Sequence, residues 1–241
     1  MKEEQELQDL QIFSVLKKIP YENVSKIHRL VKPKLERPRE PKTVLSEHLE
    51  NKYGGTCFSL VNLLVNALKM EGIKAYPVKA DIHRRTFPHF FCIISYQSEL
   101  YLVDPGYLIN DPVLLTGESI PSHPNSPINF EITMNEKGKY TLKTIAGGVK
   151  KDRYSFSIQP VDDDEFMLYW TKSFDYIKDI VASMTINNKF IYINGDYVQV
   201  RSEGNVEKYN SEEKALEYLR VYFNLEKEYV QEAKRILNLK K

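Results

Sequence analysis

Apolar spacing along this chain changes from helical to strand-like near Ala75, and that switch restricts the fold more than any other feature. Before it, residues 8–18, 44–51 and 57–71 carry helical periodicity. After it come short β-type runs over 75–80, 89–95, 100–103, 130–134, 140–145 and 154–158. Turn residues at Tyr96-Gln-Ser98 and around Asn135-Glu-Lys-Gly138 separate neighbouring runs, which predicts two hairpins. Helices followed by successive antiparallel strands make the chain α+β, with a small barrel or strongly twisted sheet at its centre.

Two further segments complete the layout. Residues 32–42 place Pro33, Pro38 and Pro41 among basic side chains. Three prolines forbid a continuous helix, so the segment reads as an extended connector with solvated charges. After the acidic run Asp162-Asp-Asp-Glu165, residues 166–183 read as a helix. Asn194-Gly195 marks a turn between strands 189–193 and 197–201, Ser211 caps an acidic helix start, and 225–239 is an amphipathic helix. The divisions fall at 1–74, 75–160 and 161–241. Gly147-Gly148 lacks the flanking pattern of a dinucleotide loop and reads as a turn.

Composition excludes several classes of function. Lys and Arg total 34 against 33 Asp and Glu, so a net charge of +1 gives no general attraction to nucleic acid or an anionic membrane. Neither partner is expected. No apolar stretch approaches the roughly 20 residues of a membrane span, and Met1-Lys-Glu-Glu-Gln-Glu-Leu lacks a signal peptide's apolar core, so a cytoplasmic protein is expected. In a reducing compartment Cys57 and Cys92 stay free thiols.

The chemistry concentrates at three residues. Tyr53-Gly-Gly-Thr-Cys57-Phe58 runs into the helix over 57–71, so Cys57 stands at a helix N-terminus, where backbone N–H groups and the helix dipole favour a thiolate. His89 enters one strand and Asp104 leaves the next. That order suits an activated-thiol triad, with imidazole as base and carboxylate as its orienter. A single such residue has a plain structural reading: a core cysteine, a core histidine, an Asp-Pro-Gly turn. The three together outweigh it. Cys92 reads as an apolar strand residue, and His28, His48, His83 and His123 have no ligand-like spacing, so no metal is expected.

Ile19-Pro-Tyr21-Glu22-Asn23, Gly54-Gly55-Thr-Cys57-Phe58, His89 and Val103-Asp104-Pro-Gly106 together resemble the arylamine N-acetyltransferase family. That family has a P-F/Y-E-N segment, an R-G-G-x-C-F-E nucleophile motif, a histidine heading a strand and a V-D-V-G-F-G aspartate motif. The C-terminal region, from Ser183 to Leu225, is similar too.

The resemblance implies a cysteine-protease-like triad core. A helical domain (1–74) would carry Cys57, an antiparallel β-barrel (75–160) would carry His89 and Asp104, and residues 161–241 would form an α/β lid. It implies acetyl transfer from acetyl-CoA, through a Cys57 thioester, to an arylamine, hydrazine or hydroxylamine, with no permanently bound cofactor. CoA would bind near Gly106 and Tyr107, between barrel and lid.

The chain departs from the pattern at several points. Tyr53 and Ser59 stand where the family has Arg and Glu, Val61 where it has Asn, and Pro105, Tyr107 and Leu108 where it has Val, Phe and Gly. A transglutaminase-like or papain-like thiol hydrolase or amide synthase, and a non-catalytic binding relative, remain the alternatives.

Overall fold

The helix expected over 8–18 is confined to Gln11–Leu16, with a separate helix before it. In the computed structural model, which describes residues 2–83, 85–116, 120–121, 129–146, 148–202 and 205–240, α1 (Lys2–Gln8) and α2 (Gln11–Leu16) flank an extended Leu10. Gly147 and His123 lie outside the described residues. Next come β1 (Tyr21–Glu22), α3 (Val24–His28), α4 (Pro41–Asn51) and α5 (Cys57–Met70). Pro41 opens α4, where a missing N–H is harmless. The 32–42 segment is not wholly extended, since Lys34–Glu36 forms a 3-10 turn.

Eight strands follow: β2 (Lys74–Ile82), β3 (His89–Tyr96), β4 (Glu99–Asp104), β5 (Ile109–Leu114), β6 (Ile120–Pro121), β7 (Phe130–Met134), β8 (Tyr140–Ala146) and β9 (Val149–Pro160). α6 (Asp163–Ser173) leads to β10 (Val181–Ile186), β11 (Lys189–Asn194), β12 (Tyr197–Ser202) and β13 (Asn205–Asn210). The last helices are α7 (Glu212–Phe223) and α8 (Lys227–Lys240).

The helix expected over 166–183 ends at Ser173, and 181–183 belongs to β10. Tertiary pairing decides this. β10 lies between β1 and β11, and the Asn23 side chain accepts a hydrogen bond from Val181 N at 2.8 Å.

Packing groups the chain into two units. One comprises Met1–Lys18 and Leu60–Phe166, the other Ile19–Ser59 and Met167–Lys241. In the first, the strands form one antiparallel sheet in the order β5-β4-β3-β2-β9-β8-β7-β6. Of the expected small barrel or strongly twisted sheet, the described residues form the second, a curled antiparallel half-barrel with β5 and β6 at opposite edges. Register shifts in the β2–β9, β4–β5 and β8–β9 pairs bend it. Its inner face buries Val78, Phe91, Ile93, Leu102, Phe130, Ile132, Leu142 and Phe156. Each such side chain contributes about 1.5–3 kcal/mol. The expected β3–β4 turn is present, with Gln97 and Ser98 both at positive φ.

The second unit is a five-stranded sheet, β1-β10-β11-β12-β13. Ile191, Ile193, Val198 and Val200 share its core with Leu219 and Phe223 of α7 and Val230 and Ala233 of α8. Ser211 Oγ accepts from Lys214 N at 3.3 Å, capping α7 as its sequence predicts. Among the described residues no helix is long and apolar enough to cross a membrane.

Candidate active site

Two neighbouring strands of the first unit bring His89 and Asp104 together. β3 begins at His89, β4 ends at Asp104, and their pairing of Cys92 with Val103 sets the register. His89 Nε2 lies 2.9 Å from both Asp104 carboxylate oxygens. Asp104 is fully buried and His89 nearly so.

Backbone geometry after the strand completes the carboxylate's shell. Gly106 N and Tyr107 N, in the 3-10 turn Pro105–Tyr107, donate to Oδ1 at 3.0 and 3.3 Å. Tyr154 on β9 donates its hydroxyl to Oδ2 at 2.6 Å. Burial, then the Asp104 charge, pushes the Tyr154 phenol well above its ordinary range and keeps it a donor. With three donors already aimed at the carboxylate, the network assigns Nε2–H as the fourth. Nδ1 is then the ring's basic nitrogen. Tyr107 meets the His89 ring edge-on, with centroids 5.3 Å apart.

Sequence reasoning passed over Tyr154. Its only local signal is the alternation of Tyr154 and Phe156, which puts both rings on the inner face of the sheet. Leu108 holds φ 58, a left-handed conformation that suits the glycine of the family motif. A leucine there costs about 1–2 kcal/mol of strain, offset by burying its side chain.

Cys57 belongs to the second unit and is the first residue of α5, as expected from sequence. It is a free, partly buried thiol. The turn before it is held from several sides. Gly55 N donates to Pro20 O at 3.1 Å, Glu22 N donates to Gly55 O at 3.0 Å, and Tyr21 bridges Gly55 in parallel register. Buried Glu22 accepts from Gly54 N at 3.0 Å and from Ser25 N at 2.9 Å. The Pro-Tyr-Glu-Asn segment is thus the strand that holds the turn before Cys57, and Asn23 ties it onward to Asp179 O and Val181 N.

Tyr53, at the family's arginine position, packs instead in an aromatic stack. Its ring lies 4.5 Å from that of Tyr229, which lies 3.8 Å from His28, both nearly parallel. A charged pair does reach this turn from elsewhere. Arg39, only 3% exposed, donates Nη1 to Glu47 at 2.7 Å and Nη2 to Gly54 O at 2.8 Å. Arg39 thereby departs from the solvated reading of segment 32–42. No local pattern marks it among its basic neighbours.

Cys92 is wholly buried, and burial pushes its thiol far above the ordinary range. Under native conditions iodoacetamide is expected to modify Cys57 and leave Cys92 untouched, as peptide mass mapping would show. Equal labelling of both would contradict this placement. Among the described residues no three His, Cys, Asp or Glu side chains form a group that could hold a metal.

Comparison with known proteins agrees with this fold. An arylamine N-acetyltransferase from Mycobacterium abscessus superposes with a TM-score of 0.78 at 16% identity, covering 97% of this chain and 88% of that one. NAT3 from Bacillus cereus, an arylamine N-acetyltransferase described as having a Cys-His-Glu catalytic triad, gives 0.71 at 20% identity, covering 92% and 91%. The Mycobacterium marinum enzyme in complex with CoA gives 0.74 at 14% identity, covering 97% and 91%. No curated protein matches in sequence. The sequence pattern described as N-acetyltransferase, however, fits residues 5–231. With nearly the whole chain accounted for, this protein belongs to the N-acetyltransferase family.

Proposed function

We propose that Cys57, His89 and Asp104 act as one acyl-transfer unit, moving an acetyl group from acetyl-CoA to the nitrogen of an arylamine, hydrazine or hydroxylamine. The observation that carries this reading is the buried His89–Asp104 pair, with Tyr154 and two backbone N–H groups holding the carboxylate. That arrangement fixes one tautomer and stabilises an imidazolium, which is what an activated thiol requires of its base.

In the first half-reaction His89 Nδ1 takes the Cys57 proton, and Sγ attacks the thioester carbonyl. N–H groups at the start of α5, including that of Cys57, are the donors assigned to the oxyanion. The C–S bond to CoA breaks, and the CoA thiolate leaves with the proton from His89. In the second, the amine attacks the acetyl-cysteine, His89 accepts a proton from nitrogen, and Cys57 departs as the leaving group. The Bacillus cereus relative is described with glutamate as its triad carboxylate; here that place is assigned to Asp104 on its contact with His89 Nε2.

CoA is assigned to the neighbourhood of Gly106 and Tyr107 from the resemblance of Val103-Asp104-Pro-Gly106 to the family's aspartate motif, and the Mycobacterium marinum relative in complex with CoA supports CoA as the acyl carrier. Tyr107 offers a half-buried aromatic face beside the His89 ring.

Intact-mass measurement after incubation with acetyl-CoA tests the reading. One added acetyl group is expected, absent in Cys57→Ala and discharged by an aromatic amine. Absence of the adduct in the wild-type chain, or discharge to water alone, would overturn it.

A further inference from the structure

Arg39 stands 18 residues before Cys57 in a basic run, yet its guanidinium is buried at the turn that leads into α5. Nη1 meets Glu47, while Nη2 donates to Gly54 O at 2.8 Å and to Ser59 Oγ at 3.4 Å. Ser59 passes the connection on. Its hydroxyl accepts from Thr56 N at 3.1 Å and donates to Thr56 O at 3.1 Å. The one donor and two acceptor sites of that hydroxyl are then all in use. A chain of charge-assisted and neutral hydrogen bonds thus runs from Glu47 through Arg39 and Ser59 to the residue before the nucleophile.

A guanidinium suits this place better than an ammonium, because its fixed planar fork can hold a carboxylate and a carbonyl in set directions at once. Positive charge also gathers here. Lys26, Arg29 and Arg37 line the same small cavity as Arg39, Thr56 and Ser59. Arg29 and Arg37 give their hydrogen bonds to backbone carbonyls, which satisfy the donors without neutralising the charge.

We infer that Arg39, oriented by Glu47 and relayed by Ser59, is the positioning residue that sets the Gly54–Cys57 turn for attack by Sγ. The inference rests on Cys57 being the nucleophile. Arg39 contacts the turn's backbone and the Ser59 hydroxyl, so its loss should slow the chemical step while leaving CoA recognition intact.

The test is rapid-mixing measurement of Cys57 acetylation by acetyl-CoA in Arg39→Gln, Arg39→Lys and Ser59→Ala, with circular dichroism confirming the fold. Arg39→Gln is expected to lower the saturating rate about 100-fold, the cost of displacing a reacting group by an ångström. The half-saturating acetyl-CoA concentration should stay unchanged. Arg39→Lys keeps the charge but lacks the fork, and should fall between Arg39→Gln and wild type. Ser59→Ala leaves Arg39 in place, and carries the test if the Arg39 variants do not fold.

Variants that only melt earlier, with wild-type acetylation rates, would make Arg39 merely structural and overturn the inference. So would a loss confined to half-saturation. Should the wild-type chain take no acetyl group at all, the proposed function fails separately. Iodoacetamide then supplies the comparison, and equal Cys57 alkylation rates in wild type and Arg39→Gln would refute the positioning role.

Discussion

Gly54→Ala is expected to destabilise the protein by about 3 kcal/mol or more and to abolish acylation of Cys57. A Cβ at position 54 would fall 2.0 Å from the Pro20 carbonyl oxygen and 2.9 Å from Glu22 Cγ. Backbone cannot yield there as a flexible side chain would. Gly54 N is bonded to Glu22, Gly54 O to Arg39, and the next residue's N–H to that same Pro20 oxygen. Relieving the clash breaks a buried hydrogen-bond network, and each orphaned group adds about 1–3 kcal/mol. Urea unfolding measures the loss. A wild-type midpoint would show that the turn has slack its contacts do not suggest.

Asp104→Asn should leave the fold intact and lower the acylation rate about 10³- to 10⁴-fold, the scale on which a wrong histidine tautomer disables a triad. Asparagine presents an N–H₂ group where the site supplies only donors: Gly106 N, Tyr107 N, Tyr154 Oη and His89 Nε2. His89→Ala should lose a similar factor, and the double variant should be hardly worse than either. Tyr154→Phe removes one of four donors and should cost about tenfold, in keeping with a net hydrogen bond of roughly 1.5 kcal/mol. Stopped-flow CoA release reads all four. Additive losses would mean that His89 and Asp104 act separately.

What the sequence made legible was local in origin. Cys57 at a helix start, His89 at a strand start, Asp104 at a strand end and the β3–β4 turn each depend on a few adjacent residues. What it concealed depends on distant partners. Tyr154 reaches Asp104 across 50 residues, and Asn23 draws Val181 into a strand across 158. Periodicity over 166–183 carries no trace of that pairing, so a helix was the natural reading. Arg39 was concealed differently: its neighbours Lys32, Lys34 and Lys42 are exposed, and composition cannot say which cation of a run turns inward. The choice between a barrel and an open twisted sheet, too, depends on which strands stand at the edges, information no single run contains.

The interleaving of the two units has a consequence for the order in which the protein is made. The Cys57 turn is synthesised early, but the unit it belongs to also needs Met167–Lys241, including Val181 and Tyr229. At about 5–20 residues per second on the ribosome, the turn waits several seconds or more for those partners to emerge. Meanwhile β2 to β9 are already available to pair among themselves. The His89–Asp104 pair can therefore form while the Cys57 turn is still unbraced, so this thiol takes up its final setting only when nearly all of the chain exists.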